Sequence, residues 1–436
     1  MVETRLKYLK VPFTFITLAV AISLLPSTAS AAQKVAQGVA CKSVGQKVSI
    51  SSVAFTCIKS GKKLIWSKLP GSLASKAPSI PLKPSPSSTP IPSPSTKSAS
   101  FLTPLMPSGT DPITWQNISD RYDQIAAAAW QSTQETLKAN AAGVKTSVVK
   151  VLYAPQTDDS HYPGFESYLK VGVQLWNRFI LPPKTTFLVY SYAEIPWAKT
   201  TITKILVDDG MQSNQAIQIA DNLSHAPYGG PDCGGANAGM ITDSQAIGVF
   251  ALCARNESTD PYYIGPLQIH EFTHQIQGAQ FIGSKFHQQE ILPCWISEGL
   301  AHAAGISAGT ASINAYQVVR KLQAAHPMLN VAGGHDQSQL DLAAVDYDFI
   351  LKFYNESAPP GCFQLPSYSL GYSLGFFTTE ALSSIGGIES TALLYSRTAS
   401  GESFEEAFKN VYGIPWNDAK VILAKTLAKE FSALKS

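Results

Sequence analysis

The stretch His270-Glu271-Phe272-Thr273-His274 decides how the rest of this 436-residue chain is interpreted. It lies in an apolar segment, residues 267–276, that is compatible with a helix. Residues four apart lie above one another on a helical face, so His270 and His274 can bind one metal ion together. Glu271 then lies beside the open coordination position. The pattern predicts a Zn²⁺ site at which Glu271 takes the proton of a water that attacks a carbonyl carbon.

A third ligand is predicted in Trp295-Ile296-Ser297-Glu298-Gly299-Leu300-Ala301. Glu298 follows His274 by 24 positions (298 − 274), which leaves room for a loop and a second helix. Two His and one Glu form a known catalytic zinc shell that leaves a fourth position for water. The alternative is a surface carboxylate on an ordinary helix, but an unpaired carboxylate in so apolar a segment would be costly. We expect one Zn²⁺ per chain.

These two segments, HEFTH and WISEGLA, resemble the gluzincin metallopeptidases, the peptidase MA-like group with thermolysin-like and aminopeptidase-like members. The resemblance covers residues from about 148 to 431. It implies His270, His274 and Glu298 as zinc ligands and Glu271 as the general base and acid. It also implies an α+β, zincin-like catalytic domain, with a small mixed sheet, the active-site helix beneath it and a helical C-terminal lobe.

Enzymes of this group commonly stabilise the oxyanion with a Tyr or a His, and the resemblance makes Tyr372 the candidate. Tyr368 is a rival, because Tyr368-Ser369-Leu370-Gly371 repeats as Tyr372-Ser373-Leu374-Gly375. Either tyrosine can instead be a core aromatic. His302, four residues after Glu298, is interpreted as a satisfied core histidine, with contact to a zinc-bound histidine as the alternative. The other histidines have no ligand-like spacing.

The sequence pattern of the first 100 residues predicts that the protein is exported. Residues 1–31 have the basic start, apolar core and Ala29-Ser30-Ala31 cleavage site of a signal peptide. Residues 32–68 form a small Cys-bearing module that resembles those near the N-termini of actinobacterial surface and secreted proteins. Residues 69–100, rich in Pro and Ser, predict a semi-extended linker. The metallopeptidase domain is expected over residues 101–436. The protein is therefore expected to be secreted or at the cell surface.

Six cysteines agree with that location, since an even number in an exported chain favours disulfides. Cys41 with Cys57 is the natural local pair, and it would close a loop of 15 intervening residues (57 − 41 − 1). Such a loop stabilises a fold by roughly 3 kcal/mol, so we expect a disulfide-stapled β module. Cys233 with Cys253 and Cys294 with Cys362 are the expected remaining pairs.

The composition limits which classes of partner the protein can bind. Charged residues make up 15 % of the chain and the net charge is +2, without a basic block, which excludes a typical nucleic-acid-binding protein. No second long apolar run follows the signal peptide, so no membrane segment is expected in the mature chain. Periodicity predicts helices over 118–139, 165–179, 312–325, 369–385, 390–398, 404–412 and 415–434, and strands over 48–50, 64–66, 147–153, 184–192, 238–241 and 246–253.

The sequence therefore predicts an exported zinc metallopeptidase that acts on peptides or proteins, with possible wall or surface association through residues 32–68. Aminopeptidases of the group that this chain resembles carry a Glu in a Gly-rich edge-strand motif, where it holds the substrate's free amine. The corresponding residues 235–240, GANAGM, have no Glu, so an endopeptidase is favoured over an aminopeptidase. Two alternatives stay open. One is a zinc hydrolase of a non-peptide amide, such as one in cell-wall material. The other is a cell-surface binding protein that keeps the zincin fold without turnover.

Overall fold

A computed structural model describes residues 44, 47–50, 53–60, 63–68, 101–109, 111–142, 148–228, 235–252, 261–324, 340–358 and 370–435. The chain divides into two compact units, residues 1–95 and 96–436. Helices and two small sheets make it a mixed α+β protein, as the sequence predicts. Within the described ranges, no helix combines the length and apolarity needed to cross a bilayer. The predicted signal peptide and linker lie outside these ranges.

The first unit contains a three-stranded antiparallel sheet. Its strands are β1 (Lys47–Ile50), β2 (Val53–Ser60) and β3 (Lys63–Lys68), in the order β1-β2-β3. Cys57 of β2 lies directly across from Trp66 of β3, and both side chains are buried. Among the described residues of this unit whose side chains can be assessed, these two are the buried ones.

The second unit is built on a four-stranded sheet, with the strands β4 (Val148–Tyr153), β5 (Lys184–Ser191), β6 (Ala236–Met240) and β7 (Gln245–Leu252). The strand order is β4-β5-β7-β6. β4, β5 and β7 are parallel, whereas β6 pairs antiparallel with β7 at the edge. Each parallel connection passes through helices, as parallel strands require.

Helices make up the rest of the second unit. They are α1 (Ile125–Asn140), α2 (Phe165–Leu175), α3 (Ile195–Asp208), α4 (Ser213–His225), α5 (Pro266–Ala279), α6 (Gln288–Ile291), α7 (Cys294–Gly309), α8 (Ile313–Ala324), α9 (Tyr347–Glu356), α10 (Phe376–Gly386), α11 (Ile388–Ala399), α12 (Phe404–Tyr412) and α13 (Trp416–Leu434). A π-helical turn, Gly371–Gly375, leads into α10.

The central strand β5 is buried on both faces of the sheet. Phe187 and Val189 point into the main core with α2 and α5, while Leu188 and Tyr190 point into a second core with α3 and α4. This alternation follows from the two-residue period of a strand. The sheet therefore separates two helical layers, and α5 lies in the layer that continues into the C-terminal helices.

The observed elements agree with most of the periodicity, with ends shifted by a few residues. The predicted 118–139 helix begins later, at Ile125, and the predicted 369–385 helix includes the π turn. The helices α3, α4 and α9 were not predicted from the sequence. Both cysteines in the described ranges, Cys57 and Cys294, are disulfide-bonded. Their predicted partners, and the Cys233–Cys253 pair, lie outside those ranges, so the pairings stay predictions.

Candidate metal centre

The helix α5 carries the motif, and its first residues explain why it begins where it does. Gly265 precedes it with φ +101°, a backbone conformation that favours glycine, and Pro266 occupies the first helical position. The Gly265 amide donates to the Gln268 side chain at 2.7 Å, which satisfies one N–H that the helix leaves unpaired. Nearly every side chain of α5 is buried, so its motif residues lie inside the protein.

The helix α7 approaches α5 closely because it presents glycines to its neighbours. A Cβ placed on Gly305 would lie 2.5 Å from the Pro266 carbonyl oxygen, and one on Gly309 would lie 2.6 Å from the Pro266 nitrogen. A Cβ placed on Gly299 would likewise lie 2.3 Å from the carbonyl oxygen of Gly375 in the π turn. This close packing brings Glu298 of α7 over the motif face of α5.

Three side-chain atoms then form a triangle. The Nε2 atoms of His270 and His274 are 3.0 Å apart. Glu298 Oε2 lies 3.4 Å from His270 Nε2 and 3.3 Å from His274 Nε2. Ligands about 2.0–2.1 Å from a tetrahedral ion are about 3.3–3.4 Å from one another. The two imidazoles and the carboxylate therefore have both the chemistry and the spacing of a three-ligand face.

A second combination of donors shares two of these residues. His270, Glu298 and His302 are all buried, their ligand atoms lie within 4.8 Å of one another, and the group could hold a metal ion. The set that contains His274 has the shorter separations, 3.0–3.4 Å. Both ring nitrogens of His302 already have hydrogen-bonding neighbours, Tyr262 and Gln323. We therefore regard His274 as the better third donor.

Glu271 lies at the edge of the triangle. Its Oε1 is 3.9 Å from His270 Nε2, and its buried Oε2 accepts no hydrogen bond within the described ranges. Burial raises the pKa of Glu271 to about 8, and the Glu298 charge adds to that rise while His274 opposes it. The carboxyl group of Glu271 therefore holds its proton more strongly than an exposed glutamate does.

The ionisation of His274 and Glu298 shows how strongly these groups interact. Burial lowers the pKa of His274, but the Glu298 carboxylate outweighs it and raises that pKa to about 9. Burial likewise raises the pKa of Glu298, and the His274 charge outweighs it, so the carboxyl group stays ionised. A cation bound here would take over the role of the His274 proton, because metal binding to imidazole displaces a proton.

The site opens on one side. The side chain of His274 keeps 15 % of its surface exposed, against 4–5 % for those of His270, Glu271 and Glu298. Tyr372, in the π turn, is half-buried. His274 and Tyr372 are therefore the more accessible members of this group, while the other side chains are shielded from bulk water.

The outer nitrogen of each motif histidine meets a neutral side chain. His274 Nδ1 is 2.9 Å from Gln277 Oε1, and Gln277 Nε2 donates to the Ser297 carbonyl oxygen at 2.8 Å. His270 Nδ1 is 3.1 Å from the Tyr262 hydroxyl, which is also 3.4 Å from His302 Nδ1. These contacts fix the orientation of both imidazole rings.

His302 is a buried histidine with hydrogen bonds at both nitrogens, in agreement with its interpretation as a satisfied core residue. It also contacts the site, because the Tyr262 hydroxyl joins it to His270. Its ring centroid lies 4.6 Å from that of His270. His302 therefore agrees in part with both interpretations, since it is a satisfied core histidine and also contacts His270 through Tyr262.

Tyr372 lies against this group. Its ring is stacked on that of His270, with centroids 6.4 Å apart and planes 10° apart, and it meets His302 edge-on at 5.2 Å. The π turn sets this position, and such single-turn bulges are frequent at functional sites. The rival Tyr368 lies outside the described ranges.

Three residues of the site were missed in the sequence. Gln277 follows His274 by three positions on the same helical face, so helical spacing could have identified it. Tyr262 precedes α5, and Gln323 lies in α8, 49 positions after His274 (323 − 274). No local pattern joins these two residues to the motif, since only the tertiary fold brings them there.

Comparisons with protein-family models, with curated proteins and with solved structures find no match to this chain. The chemistry of the site therefore carries the functional argument alone.

Proposed function

We propose that this chain is a zinc-dependent peptidase whose ligands are His270, His274 and Glu298. The observation that carries the proposal is the triangle of their donor atoms, with sides of 3.0, 3.4 and 3.3 Å, beside the buried carboxylate of Glu271. Two imidazoles and one carboxylate suit Zn²⁺ better than the harder Mg²⁺ or Ca²⁺, which prefer oxygen ligands. A zincin-like architecture is part of this proposal.

Zn²⁺, when bound, polarises a carbonyl oxygen and lowers the pKa of water to about 7. The protein residues supply the remaining steps. Glu271 accepts the proton of the attacking water and delivers it to the leaving amine. Its pKa would be lower with a cation nearby, because positive charge favours the ionised carboxylate. Tyr372 is the proposed donor to the oxyanion, since its ring already lies against His270.

The sheet edge supports a peptide as the substrate. β6 pairs with β7 on one side, and among the described strands none pairs with its other side. The strand runs beside α5, since a Cβ on Gly278 would lie 2.8 Å from Met240 Cγ. An unpaired edge beside the motif helix can hold an extended peptide through backbone hydrogen bonds.

The composition of β6 favours an endopeptidase. Its sequence, ANAGM, contains no acidic side chain. A free α-amine held at this strand would therefore lack a counter-charge there, whereas an internal peptide segment needs none. Uncharged strand contacts also imply modest side-chain selectivity, because backbone hydrogen bonds are common to all peptides.

The test is hydrolysis of an unbiased peptide library by the full chain, with and without a chelator. The proposal predicts internal cuts that a chelator abolishes and Zn²⁺ restores. Release of single N-terminal residues would instead indicate an aminopeptidase. Bound zinc without any peptide cleavage would point to a non-peptide amide or to a binding role.

A further inference from the structure

Neutral side chains lie behind His270, on the side away from its metal-facing Nε2. A histidine that binds a metal through Nε2 carries its proton on Nδ1, because a neutral imidazole has one N–H. In its contact with the Tyr262 hydroxyl, 3.1 Å away, His270 Nδ1–H is therefore the donor and the hydroxyl oxygen is the acceptor. Metal-ligating histidines almost always make such an outer hydrogen bond, usually to a carboxylate, a backbone carbonyl or water.

The Tyr262 hydroxyl then keeps its own O–H as a hydrogen-bond donor. Having accepted from His270, it faces His302 Nδ1 at 3.4 Å, the longest link of the series. For Tyr262 to donate there, His302 Nδ1 must be unprotonated, so the His302 proton lies on Nε2. His302 Nε2 is 3.2 Å from Gln323 Oε1, which can only accept. Each group in the series thus donates once, in one direction.

The helix α8 holds the end of this series. Arg320, one turn before Gln323, makes buried ion pairs with Glu380 of α10 and Glu430 of α13. Tyr316, on the same face, donates to Glu380. These contacts tie α8 to two other helices, so the C-terminal layer sets the position of Gln323.

We propose that Tyr262, His302 and Gln323 form a positioning relay that fixes the tautomer and orientation of His270 without any negative charge. The inference rests on the proposed function, in which His270 is a ligand through Nε2. Gln277 does the same for His274, so both ligand imidazoles have neutral acceptors. A carboxylate partner would raise the basicity of the ligand. A neutral partner leaves more positive charge on the bound cation.

The first test measures zinc affinity by competition with a chromophoric chelator. Tyr262→Phe removes one hydroxyl and keeps the ring, and we expect affinity to fall about 10- to 100-fold. Gln323→Met should weaken zinc binding less. Because the two residues act in series, the double variant should bind zinc within about twofold of Tyr262→Phe alone, whereas independent effects would multiply.

Tyr354→Phe is the matched control. It removes another buried tyrosine hydroxyl, which meets Thr378 at 2.8 Å and not the site. An affinity of Tyr262→Phe within threefold of this control would overturn the relay. So would loss of zinc binding in His302→Asn as complete as in His274→Ala, because His302 would then be a ligand itself.

The second test needs no variant and no activity. Long-range ¹⁵N–¹H correlation of selectively labelled histidines reports the tautomer of each ring. The relay predicts His302 as the Nε2–H tautomer, and an Nδ1–H form would refute it even if Tyr262→Phe failed to fold. If the wild-type chain bound no zinc, the proposed function would fail, whereas zinc binding with His302 in the Nδ1–H form would overturn the relay alone.

Discussion

Gly305 of α7 lies directly against His270 of α5. A Cβ on Gly305 would stand 3.1 Å from the His270 Cβ and 2.5 Å from the Pro266 carbonyl oxygen. The position of the first motif histidine therefore depends on the absence of one carbon atom on the neighbouring helix, because well-packed cores do not absorb such an overlap without movement.

Gly305→Ala should consequently destabilise the protein by about 1–3 kcal/mol, the usual cost of overpacking. The better helix propensity of Ala, worth about 1 kcal/mol at most, would offset only part of it. Gly239→Ala is the control, because a Cβ there meets nothing within 4 Å. Thermal or denaturant unfolding gives the comparison. A Gly305→Ala chain as stable as the wild type would contradict the observed helix contact.

Arg320→Met should cost much more than an average substitution. Arg320 is paired with Glu380 and Glu430, whose side chains are 0 % and 2 % exposed. Removing the Arg320 guanidinium would leave the two buried carboxyl groups without their cationic partner, which typically costs about 3–5 kcal/mol. Arg397→Met, which removes a more exposed pair with Glu402, should cost less. Similar losses of unfolding free energy in both variants, measured by urea unfolding, would show that the buried ion pairs stabilise the fold no more than the exposed pair does.

Glu194→Gln should change how stability depends on pH. Burial raises the pKa of Glu194, but hydrogen bonds from Ser191, Gln156 and Thr157 outweigh it and hold that pKa below its usual value. The unfolded pKa is about 4.3, so the stabilisation is complete above that pH and is lost as the pH falls through the lower folded value.

At pH 7 the Glu194→Gln chain should be less stable by about 1–3 kcal/mol. The NH₂ group of the amide cannot accept the hydrogen bonds that the carboxylate oxygen accepted. The difference from wild type should shrink as the pH falls below about 4. Unfolding free energies measured across that range check the sign. A difference that grows toward acid would mean that the folded pKa is raised.

Tyr372→Phe tests the hydroxyl separately from the ring. The ring contacts with His270 and His302 would remain, so the fold and zinc affinity should change little. If the hydroxyl donates to the oxyanion, kcat should fall about 10²- to 10³-fold, as with other oxyanion donors, and KM should stay nearly constant. Undiminished turnover would remove Tyr372 from the mechanism.

The sequence predicted the parts of the site that depend on local spacing. The four-residue interval between His270 and His274 defines a helical face, and α5 has that face. The apolar surroundings of Glu298 indicated a second helix, which is α7. The family resemblance implied the mixed α+β class, and most strands followed from hydrophobic periodicity.

The sequence could not predict contacts that depend on tertiary packing. The amide of Gln323 and the hydroxyl of Tyr262 reach the site because helix α7 packs on α5 and helix α8 packs on α7, which no local pattern encodes. The helices α3 and α4 were missed although the buried residues of α3 recur at helical spacing, as at Ile195, Ala198 and Ile202, so periodicity could have identified this layer. The oxyanion role of Tyr372 stays a prediction, although its ring position agrees with it.

The most direct test of the central claim compares zinc content and peptide hydrolysis in the wild-type chain and in Glu271→Gln. Glu271 contributes no atom to the triangle of donors, so the variant should keep one zinc per chain. Its hydrolysis should fall by at least 10²- to 10⁴-fold, the usual contribution of a general base. Equal hydrolysis in both proteins would contradict the proposed mechanism, and absence of zinc from both would contradict the metal centre itself.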